Sequence, residues 1–399
     1  MTDQLTAHQF PFADMSGPGP APTLAGIVAA GPVARIDTPT GVPAWLVSDP
    51  EEVRRVLVDP RFSRAAYAND PEAQILAVPQ LVGGMAAADG ADHARLRRLV
   101  AGAFTTRRVE AVRPFVRARV AELLEEFTAV GPGTDLVELF ATPLPVMAVC
   151  EWIGVPYEDR AEFFGGTETL LNVFAYSPAE ADERRSRMIG YLLRLIEQKR
   201  RSPGEDLLSD LVAISDSDGE RLSAAELVGL AVFLLGAGLE TTAQQICLSV
   251  LVLLEDRPQW ERLRAEPELI PGAVEELLRY VPTVPGSLPR RATEDVVVGG
   301  VEIRAGEVVL VAFATPNRAP GTVADPDRLD VTRAGAPHLT FGHGMHRCLG
   351  APLARVVLQE ALAGLLDHLP DARLAVPASE VEWRQGHAAR GPVTLPLTW

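Results

Sequence analysis

The segment Phe341-Gly342-His343-Gly344-Met345-His346-Arg347-Cys348-Leu349-Gly350 carries the densest chemistry in this 399-residue chain. It presents a cysteine in a glycine-rich turn at the mouth of a helix. Leu353, Val356, Val357, Ala361, Leu362 and Leu365 follow at helical spacing, and Pro352 suits a first turn. A sulfur at a helix N-terminus meets free backbone N–H groups and the positive end of the dipole, which favour thiolate over thiol. Gly342, Gly344 and Gly350 let the backbone pass close to a large planar object or take positive φ. A thiolate beside a flat cofactor is the arrangement of haem iron with an axial cysteine. A buried structural cysteine beside a glycine turn would use the same residue types.

Three further groups have spacing that chemistry can use. Ala237-Gly238-Leu239-Glu240-Thr241-Thr242 sits inside an apolar helical run. A carboxylate there is expensive unless paired or hydrated, and paired threonines offer the backbone a competing hydrogen bond that opens a helix locally. The segment is either the polar edge of a helix turned to water or a kinked groove beside a proton donor. His93 and Arg97 are four apart and share one helical face, either an ordinary solvated basic face or a carboxylate-binding pair. Glu276 and Arg279 form an acid–base pair one turn apart, a motif that on a surface contributes only ~0.3–0.5 kcal/mol.

Taken together, these segments resemble the cytochrome P450 family, in its soluble, bacterial, actinobacterial biosynthetic form. Phe-x-x-Gly-x-His-x-Cys-x-Gly over 341–350 is similar to the haem-binding loop, Ala-Gly-x-Glu-Thr-Thr over 237–242 to the oxygen-activation motif, and Glu276-x-x-Arg279 to the family's internal ion pair. The segment holding His93 and Arg97 is similar to the propionate-binding helix. The motifs occur in the family's order, and the resemblance runs from about residue 30 to the end.

The resemblance implies a mainly α fold with a smaller β-rich region, in a single haem-containing domain with an N-terminal extension over 1–29. It implies haem b (iron protoporphyrin IX) with Cys348 as metal ligand and Phe341, Gly342, Ala237 and Gly350 around the group. His93, Arg97, Arg290 and His346 would bind its propionates. Glu240 and Thr241 would be the catalytic acid and hydroxyl, with O2 as co-substrate. Arg328, from Asp325-Pro326-Asp327-Arg328-Leu329, would complete the ion network of Glu276 and Arg279. Segments 64–90 and 160–200 would form mobile covers over the pocket. Met85, Leu171, Leu234, Ala237, Val284, Ser287 and His387 would contact substrate, as would Leu170, Val173, Phe174 and Tyr176, and the apolar run with Leu76, Val78, Leu81 and Val82 would roof the pocket. His387 suits a solvated loop equally well.

The elements that must position these groups are legible along the chain. Val33–Ile36 and Ala44–Val47 read as a hairpin around Thr40-Gly41, and Ser48 or Asp49 caps a helix begun by Pro50. Helical patterns span 106–128, 137–153 and 181–200. Ser223-Ala224-Ala225-Glu226 is a capping box opening one helix that ends near Glu255, about 48 Å at ~1.5 Å per residue. Val296–Val298, Val301–Ile303 and Val308–Val311 read as a hairpin with a third strand.

Composition bounds the rest. The net charge, 37 − 53 = −16, argues against nucleic acid and anionic membranes as partners. Cys150, Cys247 and Cys348 show neither disulfide nor zinc spacing, which fits a cytoplasmic setting. No signal peptide is evident in Met1–Ala21, and polar residues at its centre make 227–254 a core helix rather than a membrane anchor. No flavin, dinucleotide or iron–sulfur pattern occurs, so two electrons from NAD(P)H must arrive through external partners, a ferredoxin and its reductase. Arg95, Arg98, Arg107, Arg108, Arg347 and Arg355 are candidates for the docking patch. The expected protein is a monomer acting on a small apolar organic substrate. Oxygen insertion, oxidative coupling of aromatic or indole-type rings and a non-catalytic haem sensor or carrier all share these motifs, although the Glu240–Thr241 pair is superfluous to a sensor.

Overall fold

The computed structural model describes residues 8–399 apart from 13–16, 18, 20–21, 76–83, 172–174, 218–220 and 334. Leu76, Val78, Leu81, Val82, Val173 and Phe174 lie outside the described residues. The helices are α1 (Pro22–Ala30), α2 (Pro50–Val58), α3 (Arg64–Ala68), α4 (Gly90–Ala101), α5 (Thr106–Val130), α6 (Pro143–Ile153), α7 (Arg160–Thr167) and α8 (Pro178–Arg201). They continue with α9 (Leu207–Ser217), α10 (Ala224–Gly236), α11 (Leu239–Glu255), α12 (Arg257–Ala265), α13 (Ile270–Tyr280), α14 (Ala314–Arg318) and α15 (Ala351–His368).

Local chemistry explains where several begin. Asp49 accepts from the backbone N–H groups of Glu51 and Glu52 with Pro50 in the first turn of α2. Ser177 with Glu180 and Ser223 with Glu226 form reciprocal capping boxes on α8 and α10. The long helix read from 224 to 255, with a local opening near its paired threonines, is interrupted outright: α10 stops at Gly236 and α11 restarts at Leu239. Helix α11 buries nearly every residue from Leu239 to Leu253 and packs on α6, α13 and α15, which makes it the axis of the main core. Helix α15 also lies along α5.

The strands are β1 (His8–Gln9), β2 (Val33–Asp37), β3 (Ala44–Val47), β4 (Phe62–Ser63), β5 (Thr134–Asp135), β6 (Arg290–Ala292), β7 (Val296–Val298), β8 (Val301–Ile303), β9 (Val308–Val311), β10 (Arg373–Leu374) and β11 (Pro396–Thr398). The hairpin of β2 and β3 forms with Val33 opposite Val47. The strand over 308–311 does not extend the 296–303 hairpin. It runs parallel to β3 and antiparallel to β6 in a sheet ordered β1-β2-β3-β9-β6-β4. Its four residues are all buried, and a central position between two strands is where such a strand is covered. The sheet thereby delivers Arg290, at the start of β6, to the side of the helical core.

Candidate functional site

The loop before α15 is shaped by its glycines. Gly342 and Gly344 take φ of 72° and 73°, and the Gly342 N–H donates to the Leu339 carbonyl at 2.7 Å. The Cys348 N–H donates back to the Phe341 carbonyl at 2.8 Å, closing the loop. At Gly344 a Cβ would lie 2.8 Å from the Leu57 carbonyl oxygen, so only glycine lets the loop rest on the end of α2. Cys348 has accessible surface, and that surface gives onto a cavity of about 390 Å³. Burial raises its thiol pKa above the ordinary value, and the N–H groups of Gly350 and Ala351 with nearby Arg97 and Arg347 only partly oppose this. The helix N-terminus therefore does not by itself produce a thiolate.

The same cavity is lined by Phe341, Gly342, Gly350 and Ala237, and by the expected substrate contacts Met85, Leu171, Leu234, Val284 and Ser287. At one end stand His93, Arg97, Arg290 and His346, joined by Arg64, which the sequence did not single out. The imidazoles of His93 and His346 are in contact, with centroids 4.4 Å apart and planes tilted 55° to one another. Arg97 donates to the Met345 carbonyl at 3.1 Å, tying α4 to the cysteine loop. Burial and the proximity of Arg290 push the Arg64 guanidinium down to about 9, and burial pushes Arg290 down to about 10. Burial, His346 and Arg97 hold His93 down at about 4. Asp89 opposes them. Burial works to raise its pKa, but hydrogen bonds from His346, Ser63 and the Ala65 N–H outweigh that and hold it well below the usual carboxylate range. Among the described residues lining the cavity none is Asp or Glu. Buried cations converging on an apolar cavity, with a thiol on its wall, are the donor set for a flat apolar group carrying two carboxylates and a metal. The residues fit a haem.

Above this set the break between α10 and α11 is held by Thr241, whose hydroxyl donates to the Ala237 carbonyl at 3.1 Å. Ala237, Gly238, Thr241 and Thr242 face the cavity. Glu240 does not line it. It lies behind the helix, where Oε1 accepts from Arg384 Nη1 at 2.5 Å and lies 3.2 Å from His387 Nδ1. Its Oε2 and Gln244 Oε1, one turn on, are buried acceptors with no protein donor among the described residues. His387 is not among the described residues lining the cavity, and it is not a solvated loop residue. Its side chain is 8% exposed, wedged between Glu240 and the ring of Tyr176.

The ion network also differs from expectation. Glu276 and Arg279 are 0% exposed and bonded at 2.7 and 2.8 Å. The second arginine on Glu276 is Arg333, at 3.2 Å, and not Arg328, which is exposed and supplies only its carbonyl to Arg279. Arg279 donates to the carbonyls of Asn317 and Pro326. The Asn317 side chain accepts from the Leu339 N–H at 2.6 Å and donates to Thr340 Oγ1 at 2.9 Å. The buried pair thus anchors the cysteine loop through Asn317, a connection that no spacing announces. Of the proposed docking arginines, Arg95 is engaged by Glu226, Arg355 is bidentate on Glu275, and Arg108 is 3.8 Å from Asp210. Arg98, Arg107 and Arg347 are exposed, with no carboxylate of the described residues within 4.0 Å.

Comparison with known proteins bears on the whole chain. The family model Cytochrome P450 matches residues 170–370. Nocardicin C N-oxygenase of Nocardia uniformis subsp. tsuyamanensis is 45% identical over 394 residues, covering 98% of each chain. Mycinamicin IV hydroxylase/epoxidase of Micromonospora griseorubida is 43% identical, again over 98% of each. The solved structure of CxnD, a cytochrome P450 for C–S bond formation in chuangxinmycin biosynthesis, superposes with a TM-score of 0.92 at 32% identity, covering 100% of this chain and 98% of that one. Identity at this level over full length, on a fold that brings a cysteine loop and a broken helix to one cavity, has one explanation: the chain belongs to the cytochrome P450 family, among its actinobacterial biosynthetic members.

Proposed function

We propose that the chain is a monooxygenase that oxidises a small, largely apolar metabolite in secondary-metabolite biosynthesis, with electrons from a ferredoxin and its reductase. The observation that carries this reading is that Cys348 and Thr241, from two different elements, line one cavity while Glu240 stands directly behind Thr241. Cys348 would ligate the iron, and Arg64, His93, Arg97, Arg290 and His346 would hold the propionates. When bound, the haem supplies the redox chemistry that activates O2.

The chain's own residues supply position and protons. The Thr241 hydroxyl donates to the Ala237 carbonyl, and its oxygen keeps lone pairs with which it would accept from a donor in the cavity. Glu240 exchanges protons on the side of Arg384 and His387 and passes them toward Thr241, a general-acid role that needs no contact with substrate. Apolar residues of α10 and the 168–171 turn exclude water from the remaining wall. Exposed Arg98, Arg107 and Arg347 flank the thiolate side and form the docking patch for an acidic electron donor.

Oxidative bond formation is the second reading, favoured by the likeness to CxnD. The test is an optical titration of the purified ferric protein with candidate metabolites, followed by turnover with a ferredoxin system and mass analysis of the product. A mass gain of one oxygen supports insertion, and loss of two hydrogens supports coupling. Glu240→Ala and Thr241→Ala should keep haem yet lose coupled turnover. Unaffected turnover in both would remove the relay assignment.

A further inference from the structure

Arg355 is a sequence candidate for the electron-donor surface, yet the structure engages it elsewhere. It stands in the second turn of α15, seven residues after Cys348. Its Nε and Nη2 donate to the two carboxylate oxygens of Glu275, on α13, at 2.6 and 2.7 Å. A guanidinium gripped through both arms has a fixed plane. Its Cζ lies over the Phe341 ring, 4.7 Å from the centroid. His338 completes the cluster: its Nε2 is 3.1 Å from Glu275 Oε2, and its ring lies 5.8 Å from that of Phe341. The Thr340 N–H donates to His338 Nδ1 at 3.3 Å, which leaves Nε2 as the nitrogen that donates to Glu275. Burial works to raise the Glu275 pKa, but the bonds from Arg355 and His338 outweigh it and hold it at about 2.

Phe341 joins this cluster to the cysteine. Its carbonyl accepts the Cys348 N–H at 2.8 Å, and its side chain lines the cavity together with Cys348. The loop between them turns on Gly342 and Gly344 at positive φ, so its shape depends on where its ends are held. Asn317 holds Leu339 and Thr340, and the ring of Phe341 is held by Arg355 and His338. Arg355 and Glu275 are 27% and 26% exposed, and a pair so open to water contributes little as an ion pair alone. Its consequence lies in the ring that it seats.

We infer that Arg355 and Glu275 are positioning residues for the cofactor: they seat the Phe341 ring and thereby hold down the reduction potential of a haem bound at Cys348. The inference rests on the haem-thiolate assignment within the monooxygenase reading and adds a control of its electron chemistry. A seated apolar ring closes that stretch of wall to water. A released ring admits water that donates hydrogen bonds to the sulfur, draws charge from it and favours the ferrous state.

The experiment measures the one-electron potential of the haem-loaded protein by spectroelectrochemical titration with dithionite, with no substrate present. Haem content and the thiolate-type absorbance of the ferrous carbon monoxide complex are read on every variant. Arg355→Gln and Glu275→Gln should both raise the potential, each by about a three- to tenfold change in the equilibrium constant, the factor for one net hydrogen bond gained at the sulfur. At roughly 59 mV per tenfold this is ~30–60 mV. Arg355→Lys should recover part of the shift, because a cation remains over the ring. In a Phe341→Leu background Arg355→Gln should have no further effect. Arg113→Gln breaks a 2.8 Å ion pair with Glu360 on the same helix α15 and should leave the potential unchanged. If Arg355→Gln does not retain haem, Glu275→Gln carries the same test. A charge acting directly on the iron would lower the potential in Arg355→Gln and raise it in Glu275→Gln, and such opposite shifts would overturn the inference. Unchanged potentials, or a full additional shift in the Phe341→Leu background, would overturn it as well. A wild-type protein that loads no haem, or lacks the thiolate-type spectrum, would instead count against the monooxygenase reading.

Discussion

Replacing Arg333 with alanine should destabilise the protein by ~2 kcal/mol, while replacing Arg328 should fall within the ~0.5 kcal/mol scatter of surface substitutions. The Glu276 carboxylate takes four hydrogen bonds: from Arg279 Nε and Nη2 at 2.7 and 2.8 Å, from the Asp330 N–H at 3.1 Å and from Arg333 Nε at 3.2 Å. Removing Arg333 deletes one bond to a fully buried charge and leaves three. A charge-assisted bond contributes ~1.5–3 kcal/mol, and the partial exposure of Arg333 argues for the middle of that range. Arg279→Ala strips the carboxylate of its main counter-charge, which costs ~3–5 kcal/mol. An unfolding entropy of ~2.1 cal/mol/K per residue over this chain amounts to ~0.8 kcal/mol/K. The expected Tm losses are then ~2–3 °C for Arg333→Ala, ~4–6 °C for Arg279→Ala and under ~1 °C for Arg328→Ala. Thermal unfolding at matched haem content measures all three. If Arg328→Ala matches or exceeds Arg333→Ala, the assignment of the third charge is wrong.

Three other outcomes are expected. The folded haem-free protein holds His93 neutral down to about 4, whereas the unfolded chain protonates it near 6.5. The folded state then binds fewer protons between those values, so this contribution is complete above pH ~6.5 and declines as pH falls toward 4. His93→Gln should flatten that part of the stability profile in denaturant titrations of the apoprotein, and an unchanged slope would contradict the assignment. Gly344→Ala places a Cβ 2.8 Å from the Leu57 carbonyl at φ 73°, and should cost ~2–3 kcal/mol and loosen haem retention. Gly342→Ala, with its nearest neighbour 3.8 Å away, should cost ~1–2 kcal/mol, and equal losses at the two glycines would refute the contact argument. Asn317→Ala leaves the Leu339 N–H without its partner in a buried site, and should speed haem loss with a stability cost of ~1–3 kcal/mol by dissociation and unfolding assays.

The chain's short-range patterns determined a great deal alone. Asp49 before Pro50, Ser177 with Glu180 and Ser223 with Glu226 fix helix starts because a cap acts within one turn. The cysteine loop and Glu240–Thr241 were legible for the same reason: their chemistry is written in consecutive residues. The interruption at Ala237–Gly238 was legible only as a tendency, since hydroxyl competition acts locally but does not say that α10 and α11 separate.

What tertiary structure decided was which distant groups meet. Arg384 reaches Glu240 across 144 residues, and no periodicity links them. Arg333 rather than Arg328 reaches Glu276 because turns over 325–333 aim one side chain inward and the other to solvent, and arginine at either place looks alike in sequence. Val308–Val311 left its neighbouring hairpin for β3 and β6 because a strand buried on both faces needs a partner on each edge. Spacing decides what shares a turn, because those contacts are set by the backbone alone. Long-range pairings depend on how whole elements bury their faces, and that is settled only when the chain is packed.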